Sequence, residues 1–326
     1  MNHSLKNAHA MADTTAVMNL AWAQEAILAE CLLWHPLEQR WWWTDIESSS
    51  LHCWSTASVS ATESAWHYKL TDRVGSFAHC RSGRLLLGMA KWLCFTNPIE
   101  LAATMLKPLP VIDMVAVDPA EARTRINDGR TDRHGNFVFG TMNEAKQKRP
   151  IGSFYQYSMR HGLRRLALPA VAIANSICFS IDGATMYFSD TLTRRIMQCD
   201  YDSATAQVSN IRRFVEVADV DGVAAYPDGS VIDRDGCLWN AQWGAARVVQ
   251  YAPDGTWLRS IIVPVKNPTC PAFGGVNLDV LMVASSRQEM SSDELAATPY
   301  AGSLFGLTLS RPTGIAETLF DDSSAQ

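Results

Sequence analysis

Short apolar runs at residues 40–46, 84–89, 136–141, 185–189, 237–241 and 280–284 recur through the chain with starts 43 to 52 residues apart. That period fits one four-stranded blade of a propeller, and six such units fill the chain. Asp-Gly pairs at Asp182-Gly183, Asp235-Gly236 and Asp254-Gly255 supply the positive backbone angle that tight hairpins need. A parallel sheet would need a series of crossover helices of about a dozen residues, and the pattern contains no such series. The expected fold is therefore all-β: a six-bladed β-propeller over residues 19–326, with residues 1–18 expected to be a disordered N-terminal tail.

Composition narrows the function. Apolar residues make up 47% and charged residues 19% of the 326, enough for a large core and too little charge for a disordered chain. Lys and Arg number 28 against 33 Asp and Glu, and no basic run is available to neutralise a row of phosphates, so nucleic acid is not expected as a partner. The uncharged run 14–24 is too short to span a bilayer and lacks the flanks of a secretion signal. The eight cysteines form no Cys-x-x-Cys pair and sit mostly in apolar runs, the usage of small buried hydrophobes in a reducing cytoplasm. A soluble, cytoplasmic chain with no membrane partner is expected, and a monomer is compatible with all of this.

One position of the repeat is chemically distinct. Eight residues before the turn glycines Gly135, Gly183 and Gly236 stand Asn127, Asn175 and Asp228, and the same step from Glu38 in the first unit's turn reaches Glu30. Gly83 leads to Gly75, and the last unit has no turn glycine to count from. These side chains are expected just before the first strand of their units. First strands of a propeller line its central channel, so residues about 50 apart in sequence can converge there. A cluster of carboxylates and carboxamides offers only oxygen ligands, which suits a hard divalent cation. Glu30, Asn175 and Asp228 are the expected metal ligands. Arg125 and Asn127, two apart on a strand, should face the same side and place a cation and an amide beside the metal.

At these residues the sequence resembles the gluconolactonase and regucalcin (senescence marker protein) family of six-bladed propellers. The resemblance is carried by Ala29-Glu30-Cys31-Leu32-Leu33-Trp34, by Arg125-Ile126-Asn127-Asp128-Gly129 followed by Gly140-Thr141-Met142, by Ala174-Asn175-Ser176-Ile177, and by Tyr226-Pro227-Asp228-Gly229. It covers nearly the whole chain after the tail. It implies hydrolysis of a sugar-acid lactone such as arabino-, xylono-, galactono- or gluconolactone, with one divalent ion (calcium, zinc, magnesium, manganese or ferrous iron) on Glu30, Asn175 and Asp228. It also implies substrate contacts at Arg125 and Asn127, and at Glu144, which lies one residue from the family's acidic contact. The departures are Cys31 and Leu32, where a small residue and proline are usual, and Ser176 in place of glycine.

In the expected chemistry Asp228 acts as general base toward the attacking water as well as ligand. No Gly-x-Ser-x-Gly elbow supports a serine hydrolase, and no paired histidines support a histidine zinc site. The alternative from another class is a non-catalytic propeller that binds calcium or a protein partner; a weaker enzymatic rival is organophosphate hydrolysis at the same centre.

Overall fold

The computed structural model describes residues 16–56, 65–97 and 107–323. Its strands form six four-stranded antiparallel sheets. Each of the six recurring runs is the second strand of a blade, from Arg40–Asp45 in the first to Val280–Ser285 in the sixth. The turns that precede them hold Gly83, Gly135, Gly183 and Gly236 at φ of 73° to 89°, and in the first blade Gln39 takes this left-handed position at φ 53°. Helix is confined to short pieces, among them Ser292–Ala297, which opens on a Ser291 and Glu294 capping box. No helix among the described residues is long and apolar enough to cross a membrane.

Ring closure is non-local. The outermost strand of the sixth blade is Asn19–Trp22, which pairs antiparallel with Leu304–Thr308 from the other end of the chain. Met18 is buried and its N–H donates to Ile262 O at 2.9 Å. The inner end of the expected tail is therefore part of the packed structure, and residues 1–15 lie outside the described residues.

Alternating apolar residues fill the gaps between blades as six clusters, one per neighbouring pair. Trp34, Trp41, Trp43 and Trp239 are fully buried in them and supply large apolar area between blades. All eight cysteines are buried and unpaired, as their placement in apolar runs implied.

The residues 311–323 form a strap under the hub. Thr313 and Gly314 donate to Leu278 O in the sixth blade, while Phe320 donates to His79 O at 2.8 Å and Asp321 to Gly135 O at 2.9 Å in the second and third. Between these anchors Glu317 forms a largely buried ion pair with Arg130. The hub is thereby closed on one face, leaving the opposite mouth to carry a site.

Candidate active site at the mouth of the hub

The innermost strands of the blades are Ala29–His35, Val74–His79, Thr124–Thr131, Ala174–Phe179, Tyr226–Ile232 and Pro268–Gly274. Each loses register with its neighbour at the same height. The shifts fall between Glu30 and Leu33, Val74 and Ser76, Ile126 and Gly129, Asn175 and Cys178, Pro227 and Ser230, and Pro268 and Pro271. Such bulges re-aim side chains and free backbone groups from the ladder. Glu30, Asn127, Asn175 and Asp228 are therefore inside their first strands, at or beside these bulges, and not ahead of the strands as the turn-counting argument expected. Cys31 and Ser176, two of the three departures from the family pattern, each follow one of these residues at φ of 49° and 62°. A non-glycine residue held there is strained, which fits a backbone fixed by its surroundings.

Inner-strand carbonyls at or beside the bulges are taken up by the neighbouring blade. Thr44 Oγ1 donates to Val74 O, Asn127 Nδ2 to Ala174 O, Ser176 Oγ to Asp228 O and Thr269 Oγ1 to Ala29 O, at 2.5 to 2.9 Å. Where no side chain bridges, a glycine lets two backbones touch. A Cβ on Gly75 would stand 2.3 Å from Ile126 O, and one on Gly229 would stand 2.9 Å from Thr269 O. This explains why the second and sixth blades contribute no acidic or amide side chain at that height: Gly75 has none, and Thr269 spends its hydroxyl on the first blade.

The result is a cavity of about 260 Å³. Glu30, Arg125, Asn127, Asn175 and Asp228 line it together, so five of the six expected site residues meet in one place. Leu28, Met142, Ile173, Leu192, Tyr226 and Trp243 form an apolar wall. Glu144 is not part of the lining. Its carboxylate grips Arg73 at 2.5 and 3.1 Å and stands 3.5 Å from Arg125 Nε, behind the cavity wall.

A hydrogen-bond relay orients the amides. Arg125 Nη1 donates to Asn127 Oδ1 at 2.7 Å and Asn127 Nδ2 to Asn175 Oδ1 at 3.1 Å. Asn175 Nδ2 donates to Thr191 Oγ1 at 2.8 Å, and that hydroxyl donates to Pro227 O at 3.0 Å. Thr191 belongs to a single 3-10 turn, Thr191–Thr193, that follows the fourth blade's second strand. With its Nδ2 engaged by Thr191 and only one bond accepted at Oδ1, Asn175 keeps a lone pair of Oδ1 for the hub.

Charge in the hub is unbalanced. Burial, and then the charge of nearby Asp128, raise the Glu30 carboxyl from 4.5 to about 8, against the pull of the Cys31 N–H and Arg125. Burial and the adjacent Glu30 hold Asp228 well above the ordinary carboxylate range. Asp228 Oδ1 is buried with no hydrogen-bond partner. Two buried carboxylates side by side need a proton or a cation between them. Among the described residues no three His, Cys, Asp or Glu side chains gather in metal-binding geometry. The hub cluster is two carboxylates and one carboxamide, an all-oxygen set that suits a hard divalent ion.

Sequence reasoning missed Lys148, Thr191, Gln288 and Glu289, which connections bring to the rim, and Tyr226, which stands at the start of its inner strand. No sequence pattern marks which side chains of the segments 146–152 and 288–300 turn inward.

The comparisons with known proteins agree with this architecture. Residues 28–287 match the SMP-30/Gluconolactonase/LRE-like region. An L-arabinolactonase of Azospirillum brasilense is 41% identical over 295 residues, covering 90% of this chain and 92% of that protein. A 6-deoxy-6-sulfogluconolactonase of Pseudomonas putida is 32% identical over 307 residues, covering 91% and 96%. Among solved structures, a calcium-binding protein, regucalcin, of Agrobacterium tumefaciens superposes with a TM-score of 0.80 at 28% identity, covering 94% of this chain and 99% of that one. With residues 28–287 matched and the hub residues gathered from five different blades or their loops, the chain belongs to the SMP-30/gluconolactonase/LRE-like family.

Proposed function

We propose that the protein hydrolyses a sugar-acid lactone to the open aldonic acid, with one divalent cation held by Glu30, Asn175 and Asp228. The observation that carries this reading is the orphaned, buried Asp228 Oδ1 beside Glu30 in a cavity that also holds Arg125 and Asn127. The relatives named as lactonases, and the neighbour named as calcium-binding, support the substrate class and the need for a cation.

When bound, the ion supplies Lewis-acid polarisation of the ester carbonyl and lowers the pKa of water. The chain's own residues do the rest. Asp228, deprotonated once the cation neutralises the pair it forms with Glu30, accepts the proton of the attacking water. Arg125 and Asn127, which line the cavity together, hold the ring hydroxyls and so fix the approach of the ester carbon. The apolar wall of Tyr226 and Trp243 excludes bulk water and offers a face for the sugar ring. The relative named L-arabinolactonase favours a five-carbon lactone.

The test is acid release from a panel of aldonolactones, followed in a pH-stat, with Asp228→Ala as the comparison. The wild-type protein should turn over at least one lactone and Asp228→Ala should lose about 10³-fold or more, the loss of base and ligand together. A variant with a near-normal rate would remove Asp228 from the mechanism.

A further inference from the structure

The third and sixth blades stand on opposite sides of a six-membered ring. Arg125 and Asn127 come from the inner strand of the third, and the connection that leaves Val280–Ser285 in the sixth brings Gln288 and Glu289 to the same cavity. This connection is built with care. Gln288 N–H donates to Ser286 Oγ at 2.9 Å and to Ile27 O at 3.1 Å, Gln288 O accepts from Asn267 Nδ2 at 3.1 Å, and Met290 N–H closes a turn on Arg287 O at 3.2 Å. Glu289, clamped between them, is held at φ 61°, a left-handed conformation that a long side chain adopts at a cost. Local strain maintained by backbone clamps on both sides, at a residue that lines a cavity, points to the side chain's use there.

Two further observations point to a ligand. Gln288 Oε1 is buried and has no hydrogen-bond partner. Lys148, on the third-blade side, lines the same cavity with its Nζ donating to Asn143 O at 2.8 Å, and Glu289 is among the carboxylates whose charge acts on it. A carboxylate and a carboxamide that line the same cavity offer acceptors and a donor to neighbouring hydroxyl groups.

We infer that Gln288 and Glu289 are specificity-determining residues that hydrogen-bond the hydroxyl-bearing side of the lactone opposite Arg125 and Asn127. The inference rests on the lactonase reading of this cavity and adds to it a second recognition wall from the sixth blade. It makes the enzyme selective for polyhydroxylated lactones over plain ones, because a plain ring leaves Gln288 and Glu289 without partners when it displaces water from them.

The experiment compares kcat/KM on the γ-lactone of L-arabinonic acid with kcat/KM on unsubstituted γ-butyrolactone, for the wild-type protein, Glu289→Gln and Gln288→Leu. The ratio of the two values should fall about 10- to 100-fold in each variant, the size of one charge-assisted or buried hydrogen bond. A loss of turnover shared equally by both substrates leaves the ratio unchanged, and an unchanged ratio in both variants overturns the inference. Wild-type protein inactive on both lactones would instead remove the lactonase reading, and this inference with it.

Discussion

Asn127 Nδ2 donates at 3.1 Å to Asn175 Oδ1, joining the third blade to the fourth and fixing which atom of Asn175 faces the hub. The far end of the same relay is Thr191 Oγ1, which accepts from Asn175 Nδ2 and donates to Pro227 O, one residue before Asp228. Oxygen donors from two blades are thus oriented by groups that carry no charge themselves.

Thr191→Val keeps the shape of the side chain and removes the hydroxyl. Outer-shell partners of metal ligands typically change affinity by about 10- to 100-fold, and a loss in that range is expected here. Titration of chelator-stripped protein with a divalent cation measures it; an unaltered affinity would show that the relay does not govern Asn175.

The metal and the proton should compete. Glu30 is raised from 4.5 to about 8, so the metal-free folded state keeps a proton that the unfolded chain releases. That stabilising contribution is full below about pH 4.5 and is lost as pH rises through about 8. A cation takes the proton's place, so the rise in Tm on adding it should be small near pH 5 and larger above pH 8. Thermal unfolding across that range, with and without the ion, checks this; a Tm increment independent of pH would contradict it.

Gly75→Ala tests the close approach of the second and third blades. The new Cβ would meet Ile126 O at 2.3 Å and Asn127 O at 2.7 Å, both of them backbone atoms. Overpacking of this kind costs about 1–3 kcal/mol, and here the displaced strand carries Arg125 and Asn127. Denaturant unfolding should show the loss, and kcat/KM should fall with it. Wild-type stability would mean that the blades can part freely at this point.

Much of this was legible in the chain because it is local. The turn glycines fix the second strands, and the eight-residue step back from them lands on Asn127, Asn175 and Asp228, because one hairpin repeats around the ring. What escaped was set by distance. Asn19–Trp22 completes the sixth blade by pairing with Leu304–Thr308, which no local pattern encodes. The bulges that place Glu30 and Asp228 within strands arise from packing at the hub. Gln288 and Glu289 reach the cavity through clamps from Ile27 and Asn267, residues with no sequence signal toward them.

The most direct measurement is turnover of an aldonolactone by chelator-stripped protein, before and after a single divalent cation is restored. The account predicts that activity disappears on stripping, returns with the cation, and does not return in Glu30→Gln. Undiminished hydrolysis by the metal-free protein would contradict it.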